Sequence, residues 1–347
     1  MLRYRILGRT GLRVANLALG TGNFGTGWGH GASEDDARAI YEAYRDAGGN
    51  FIDTASNYQF GESEQIVGRL IAADRDDVVV ATKSTLAASP DGGLQQTGNS
   101  RRAMVQSVEA SLRRLGTDRV DLLYVHFPDE VTPIDEIARA LDDLVRSGKV
   151  LYTGLSNFPA WRVATAATLA EARGWSPVSA VQFEYSIVER TAERELIPMA
   201  EAFGLAALGW SPLGGGLLTG KYRAGATGRL QALGVVIQKE DDERKARTLD
   251  AVIGVAESLG VTPGQVALAW IIGRGVLPML GPRTPQHLAE NLGALAVALS
   301  PEHLARLEEA SAIPLGFPHE MNAGSGTRAS VAGGRAELVD FAGPRPR

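Results

Sequence analysis

Short apolar runs alternate with longer stretches of helical period along most of this chain. Strand character marks residues 14–19, 51–52, 78–82, 122–125, 150–155, 178–183, 205–210 and 275–280. Each run leads to a stretch whose apolar positions recur as on one helix face: 33–47, 63–72, 101–115, 133–147, 160–172, 192–203, 241–259 and 285–299. Ser33 and Asp36 suit a capping box at the first of these. Gly8, Thr10 and Gly11 lie between two β-prone stretches and predict an opening hairpin in residues 1–14. Eight strand–helix units without an antiparallel interruption predict an α/β fold, a closed (β/α)8 TIM barrel rather than an open sheet. Residues 262–274 and 301–311 are expected as additional C-terminal helices. Residues 1–313 then form a single domain, and the Gly-, Ala- and Pro-rich segment 314–347 a wrapping or mobile tail.

Three consecutive apolar runs end in, or lead directly to, ionisable groups. Phe51-Ile52 runs into Asp53 with Tyr58 just beyond, the run 78–82 into Lys83, and 122–125 into His126. Strand C-termini form the active face of such barrels, so the four side chains are expected to converge at one mouth. A phenol ordinarily titrates near 10 and holds a transferable proton at neutral pH. Lys83 is expected to ease its release, Asp53 to hold Lys83 charged, and His126 to orient a carbonyl oxygen. This is a proton donor with an electrostatic clamp and no nucleophile. It suits reduction of a carbonyl by an external hydride.

Composition narrows the alternatives. With 44% hydrophobic and 22% charged residues, the chain has apolar material for a large core. Net charge is −5 with no basic stripe, so neither nucleic acid nor an anionic membrane surface is an expected partner. The absence of cysteine excludes disulfides, thiolate metal sites and cysteine nucleophiles. The five histidines show no H-x-H or H-E-x-x-H spacing, so no metal is expected. No secretory h-region precedes Gly8 and no apolar run is long enough to span a bilayer, making a cytoplasmic location the default expectation. Gly20-Thr21-Gly22-Asn23-Phe24-Gly25 matches a dinucleotide fingerprint, but Gly27, Gly29 and Gly31 follow where a helix should start. A flexible loop over a pocket is the expected reading, with Phe24 and Trp28 facing a substrate.

Longer motifs carry a resemblance. Phe51-Ile52-Asp53-Thr54-Ala55 with Tyr58, Gly61 and Glu64, Gly154-Leu155-Ser156-Asn157-Phe158, Val181-Gln182-Phe183-Glu184-Tyr185-Ser186, and the stretch from Trp210 to Tyr222 occur in the order found in aldo-keto reductases. The chain resembles that family from about Leu7 to about Ala294, in its aryl-alcohol dehydrogenase-like or potassium-channel β-subunit-like branch. The resemblance implies a catalytic tetrad of Asp53, Tyr58, Lys83 and His126, with Tyr58 as general acid. It implies a nicotinamide cofactor laid across the mouth without a Rossmann fold. Gly20, Thr21, Gly22 and Asp53 would contact it, and Ser156, Asn157 and Gln182 would bond its carboxamide. Trp210 would stack on the nicotinamide, Ser211, Pro212, Leu213, Gly214 and Gly215 would line the pyrophosphate, and Lys221 would add charge. Gly281, Arg283, His287, Glu290 and Asn291 would meet the adenosine end.

NADP(H) is the expected cofactor. NAD(H) stays open because His287 stands where the family more often has Arg or Gln. The variable loop closing over cofactor and substrate would run from Tyr222 to about Lys239, where solvated surface is the favoured reading of Arg223 and Arg229 and a phosphate contact the alternative. Phe24, Trp28, Tyr58, His126 and Phe127 are the expected substrate pocket, suiting an apolar or aromatic carbonyl or alcohol. A cofactor-binding regulatory subunit with slow turnover is the alternative. Monomer and small homo-oligomer are both open.

Overall fold

The computed structural model describes residues 2–223 and 238–341. Strands β1 (Tyr4–Ile6) and β2 (Arg13–Ala15) pair as the expected antiparallel hairpin. The next eight strands are parallel and close into a barrel in chain order. They are β3 (Ala18–Gly20), β4 (Phe51–Asp53), β5 (Val79–Lys83), β6 (Val120–Val125), β7 (Val150–Ser156), β8 (Val178–Glu184), β9 (Ala206–Trp210) and β10 (Leu277–Leu280), with β10 returning to β3. The expected (β/α)8 barrel is therefore the fold. Phe51, Val79, Ala81, Leu122, Tyr124, Ala180, Leu208 and Leu277 fill one interior cluster as side-chain layers, so the barrel is a packed core and not a pore.

Helices α1 (Glu34–Asp46), α2 (Glu62–Ile71), α3 (Arg101–Leu115), α4 (Ile134–Arg146), α5 (Ala160–Arg173) and α6 (Leu196–Phe203) follow β3 to β8 in turn. At α1 the Ser33 hydroxyl accepts the Asp36 amide and donates to the Asp36 carboxylate, so Ser33 caps the helix but the reciprocal backbone bond of the expected capping box does not form. Among the described residues, two α-helices lie between β9 and β10: α7 (Glu243–Leu259) and α8 (Pro263–Gly273). The sequence pairs α7 with β9 and makes α8 an extra; packing assigns them the other way. Helix α8 lies on β10, and its Ile271 reaches the β9 glycine, Gly209. Helix α7 instead packs against α10 (Pro301–Ser311), beyond α9 (Pro285–Gly293). The reason is apolarity: α8 buries Val266, Ala267, Leu268, Trp270 and Ile271, whereas α7 keeps a charged face.

The hairpin plugs the N-terminal end of the barrel. Leu7 and Val14 are fully buried in the interior cluster, and a Cβ at Gly8 would sit 2.5 Å from the Ser179 carbonyl oxygen. After α10 come two short helices, α11 (His319–Ala323) and α12 (Ser325–Val331), tied to α6 where Arg194 donates to the Pro314 carbonyl and His319 meets Glu195. Among the described residues no single helix is long and apolar enough to cross a membrane.

Candidate active site

Lys83 ends β5 with no exposed surface, and its ammonium is held by three oxygens. It donates to the Asp53 carboxylate at the end of β4, to the Thr54 carbonyl (2.9 Å) and to the Tyr58 hydroxyl (3.3 Å). The other Asp53 oxygen accepts from Gln182 Nε2 on β8 (3.0 Å). Two buried charges are costly unless paired and hydrogen-bonded, and here both conditions are met. Burial by itself raises the Asp53 carboxyl, with Lys83 and Gln182 opposing it. Burial lowers an ammonium, yet the Asp53 carboxylate and the hydrogen bonds to Asp53 and Tyr58 outweigh it, so Lys83 is raised and stays cationic.

His126 follows β6 and stands edge-on to Tyr58, ring centroids 6.0 Å apart. Burial, aided by Lys83, pushes its pKa well below 6.5, so the ring is neutral at physiological pH. Its Nδ1 is buried without a hydrogen-bond partner. Tyr58 opens the short turn Tyr58–Gly61. The sequence expects Lys83 to ease its deprotonation; burial prevails, and the phenol is raised above 10 although Lys83 pulls it down. A phenol that keeps its proton beside a fixed cation is a donor for an oxygen gaining negative charge.

Ser156, Asn157, Gln182 and Trp210 are brought together, bonded mainly to one another. Asn157 adopts φ 61° and donates to the His126 carbonyl (3.0 Å) and the Ser156 hydroxyl (3.1 Å), while its Oδ1 accepts from Trp210 Nε1 (2.9 Å). One amide thus ties together the ends of β6, β7 and β9. Ser156 and Asp53 expose no surface, so here each acts through the group it holds.

A groove of about 490 Å³ runs beside the mouth between the segment after β9 and the start of α9. Ser211, Pro212, Leu213, Gly215, Lys221, Gly281, Arg283, His287, Glu290 and Asn291, all expected from the sequence, line it. Asn23, Gly216, Thr219, Tyr222, Met279, Leu280 and Pro282 complete it. Asn23 braces the groove wall by donating to the Gly281 carbonyl (2.8 Å). Its neighbour Gly22 faces the Tyr58 ring, 3.6 Å from where a Cβ would lie, which connects groove to phenol. Burial and then Arg283 lower the His287 pKa, so the permanent positive charge beside His287 comes from Arg283 and Lys221.

Three expectations are corrected. Phe24 has no exposed surface and lies in the core, so it offers no substrate a face. Thr21 is equally buried, its hydroxyl bonded to Ser63 and to the Asp53 carbonyl; it supports the strand rather than a ligand. Gly214 and Gly20 do not line the groove: Gly214 packs towards Val188, and Gly20 approaches the Leu280 carbonyl at 3.0 Å. Arg223 is committed to Glu240 and Asp250. Arg229 and most of the stretch from Tyr222 to Lys239 lie outside the described residues.

The sequence also missed supports with no motif to betray them. Thr85, at φ 85°, accepts from the His126 amide (3.2 Å) and donates to Asn99 (2.6 Å), whose amide reaches the Phe127 carbonyl (2.8 Å). Phe127 in turn stacks on His126, centroids 4.4 Å apart.

The sequence profile of the aldo/keto reductase family matches residues 16–312. The chain is 37% identical to an aryl-alcohol dehydrogenase of Pestalotiopsis microspora over 92% of its own length and 84% of that protein. It is 36% identical to a norsolorinic acid reductase of Aspergillus flavus, covering 91% and 82%. An uncharacterised oxidoreductase of Bacillus subtilis is 38% identical, covering 89% and 95%.

Proposed function

The chain belongs to the aldo/keto reductase family, and from that premise we propose that it is an NADP(H)-dependent oxidoreductase interconverting an aldehyde or ketone with its alcohol. The observation that carries this reading is the buried Lys83 ammonium bridging Asp53 and the Tyr58 hydroxyl, beside a neutral His126 with an orphaned nitrogen. Such an arrangement is made to donate a proton to, and orient, a carbonyl oxygen.

The groove suits the cofactor: its wall residue Asn23 adjoins Gly22, which faces the Tyr58 ring, and it offers positive-φ backbone at Ser211, Gly215 and Gly216 with Lys221 and Arg283 along its walls. Bound there, the nicotinamide supplies the hydride that no side chain of the chain can supply. Tyr58 gives its proton to the substrate oxygen, and Lys83 stabilises the phenolate left behind. Asp53 keeps Lys83 charged and aimed, while Gln182 keeps Asp53 in place. His126 offers the same oxygen a second hydrogen bond, and the rings of Trp28 and Phe127 limit water around it. In oxidation Tyr58 takes the proton back. Arg283 beside Thr284 favours a 2′-phosphate, hence NADP(H). The reading places the catalytic domain in residues 1–313 with the tail outside it, and the aryl-alcohol dehydrogenase branch suits the relatives.

Calorimetric titration with NADPH and NADH, followed by turnover of a panel of aldehydes, tests the proposal. Selective NADPH binding and turnover that disappears in Tyr58→Phe are expected. Binding without turnover of any aldehyde would transfer the site to the regulatory-subunit reading, and binding of neither nucleotide would sink both.

A further inference from the structure

Alternation along β6 turns Leu122 and Tyr124 into the barrel. In register, Tyr124 lies opposite Lys83 on β5 and Gly154 on β7, so it stands at the level of the buried Asp53, Lys83 and Gln182. Its ring has room only because that neighbour is a glycine. A Cβ on Gly154 would lie 2.6 Å from two ring carbons of Tyr124 and 2.9 Å from the Ala180 carbonyl oxygen.

No part of Tyr124 is exposed, and its hydroxyl is buried without a hydrogen-bond partner. Burial and then the Asp53 charge hold this phenol well above 10, while Gln182 opposes them. The hydroxyl therefore keeps its proton and stands in the field of the Asp53–Gln182 pair. A phenylalanine would fill the same space and spare the fold an unbonded polar group, which costs stability wherever it is buried. The oxygen adds nothing to packing; its neighbours give it a use.

Both Asp53 oxygens are occupied: one accepts from Lys83, the other from Gln182 Nε2 (3.0 Å). Lys83 also donates to the Tyr58 hydroxyl, and at 3.3 Å this is the longest of its three bonds. Once Tyr58 has given up its proton, the phenolate competes with Asp53 for the ammonium and the long bond tightens. What Lys83 gives to Tyr58 it withdraws from Asp53, a carboxylate with no exposed surface through which to recruit solvent.

We infer that Tyr124 is a positioning residue for this proton transfer: its hydroxyl is the reserve donor to Asp53, engaged when Lys83 shifts towards the Tyr58 phenolate. This rests on the carbonyl–alcohol reading of the same site. The reserve bond lets the ammonium move without losing the carboxylate that aims it. Gly154 serves the same end by admitting the ring.

The test uses Tyr124→Phe in the full-length protein, a change that deletes one hydroxyl and keeps the ring. Melting temperature should hold or rise, and NADPH affinity by calorimetry and KM for an aldehyde should stay as in the wild type. The kcat should fall about tenfold, the scale of one hydrogen bond to a charged group. Its solvent deuterium isotope effect should grow, because proton transfer has become the slower step. An unchanged kcat overturns the inference, and so does a loss of kcat with no change in isotope effect, which is what a merely structural hydroxyl would give. A second measurement needs no turnover: the resonance of the hydroxyl-bearing ring carbon in isotope-labelled tyrosine, assigned by its absence in Tyr124→Phe. In Lys83→Met the Asp53 carboxylate loses its ammonium and should draw the Tyr124 hydroxyl, moving this resonance. Adding Asp53→Asn should reduce that movement. A resonance equally placed in the single and double variants overturns the reserve bond. The expected movement in a protein that turns over no carbonyl compound would support the bond and remove the reaction.

Discussion

The two ends of the barrel are built from the same strands and solve opposite problems. At the N-terminal end the β1–β2 hairpin seals the interior with Leu7 and Val14, and buried polar groups are paired: Asp121 accepts from the Val80 amide (2.8 Å) and meets Arg75 (2.9 Å). At the C-terminal end the buried groups are an ion pair, a neutral histidine and the orphaned atoms His126 Nδ1 and Asn57 Oδ1. Backbone strain follows the same division. Every described non-glycine residue with left-handed φ (Gln59, Phe60, Thr85, Glu130, Asn157 and Ser211) lies on a segment that follows a barrel strand. One end is optimised for folding, and the other holds groups that folding alone would not choose.

Substitutions at the two ends should therefore separate activity from stability. The largest effect expected is in Tyr58→Phe, a loss of about a thousandfold in kcat, within the range for a general acid, with little change in melting temperature. Next is Lys83→Met, which strands the buried Asp53 charge and should cost about 3–5 kcal/mol in denaturant unfolding. Combining it with Asp53→Asn should recover most of that stability and none of the activity, because the two charges are expensive only when separated. If the double variant stayed as unstable as the single one, the cation would be structural and the contrast between the ends would weaken. At the sealed end, Leu7→Ala should cost about 2–5 kcal/mol through the cavity it opens, while kcat per folded molecule is retained.

Smaller effects sharpen the same comparison. Arg283→Ala should weaken NADPH binding about tenfold, the scale of one charge-assisted contact, and NADH much less, by calorimetry. Finally, the His126 pKa lies below 6.5 when folded. As pH falls past the unfolded value near 6.5, the unfolded chain takes up this proton before the native one. Stability is then lost progressively until the lower folded pKa is passed. The drop in unfolding midpoint between pH 7.5 and pH 5 should be smaller in His126→Asn than in the wild type. Equal drops would mean that the imidazole is not held neutral by burial.

Legibility in the sequence differed between these regions. Asp53, Lys83 and His126 stood out because an apolar run ending in a charge is improbable as packing, and the groove residues after β9 and β10 lay within recognisable motifs. Phe24 misled because an aromatic in a glycine-rich loop resembles a pocket residue, whereas the loop folds inward and buries it. Gly25 and Gly27 read as flexible although close approach of Gln59 and Glu62 requires them. Gln59, Glu62, Thr85 and Asn99 were silent, since a polar residue in a turn has no periodicity to break.

Along the chain itself, alternating periods determined eight strands and their helices, and strand-end charges determined where chemistry would gather. Both are local patterns, set by which face of each element must be buried. Only the tertiary structure decided that α8 rather than α7 covers the barrel, that burial outweighs Lys83 at the Tyr58 phenol, and that the glycine-rich loop is pinned. Those outcomes depend on contacts between residues distant in sequence and on the dielectric they create together, and neither is encoded in the spacing of any single segment.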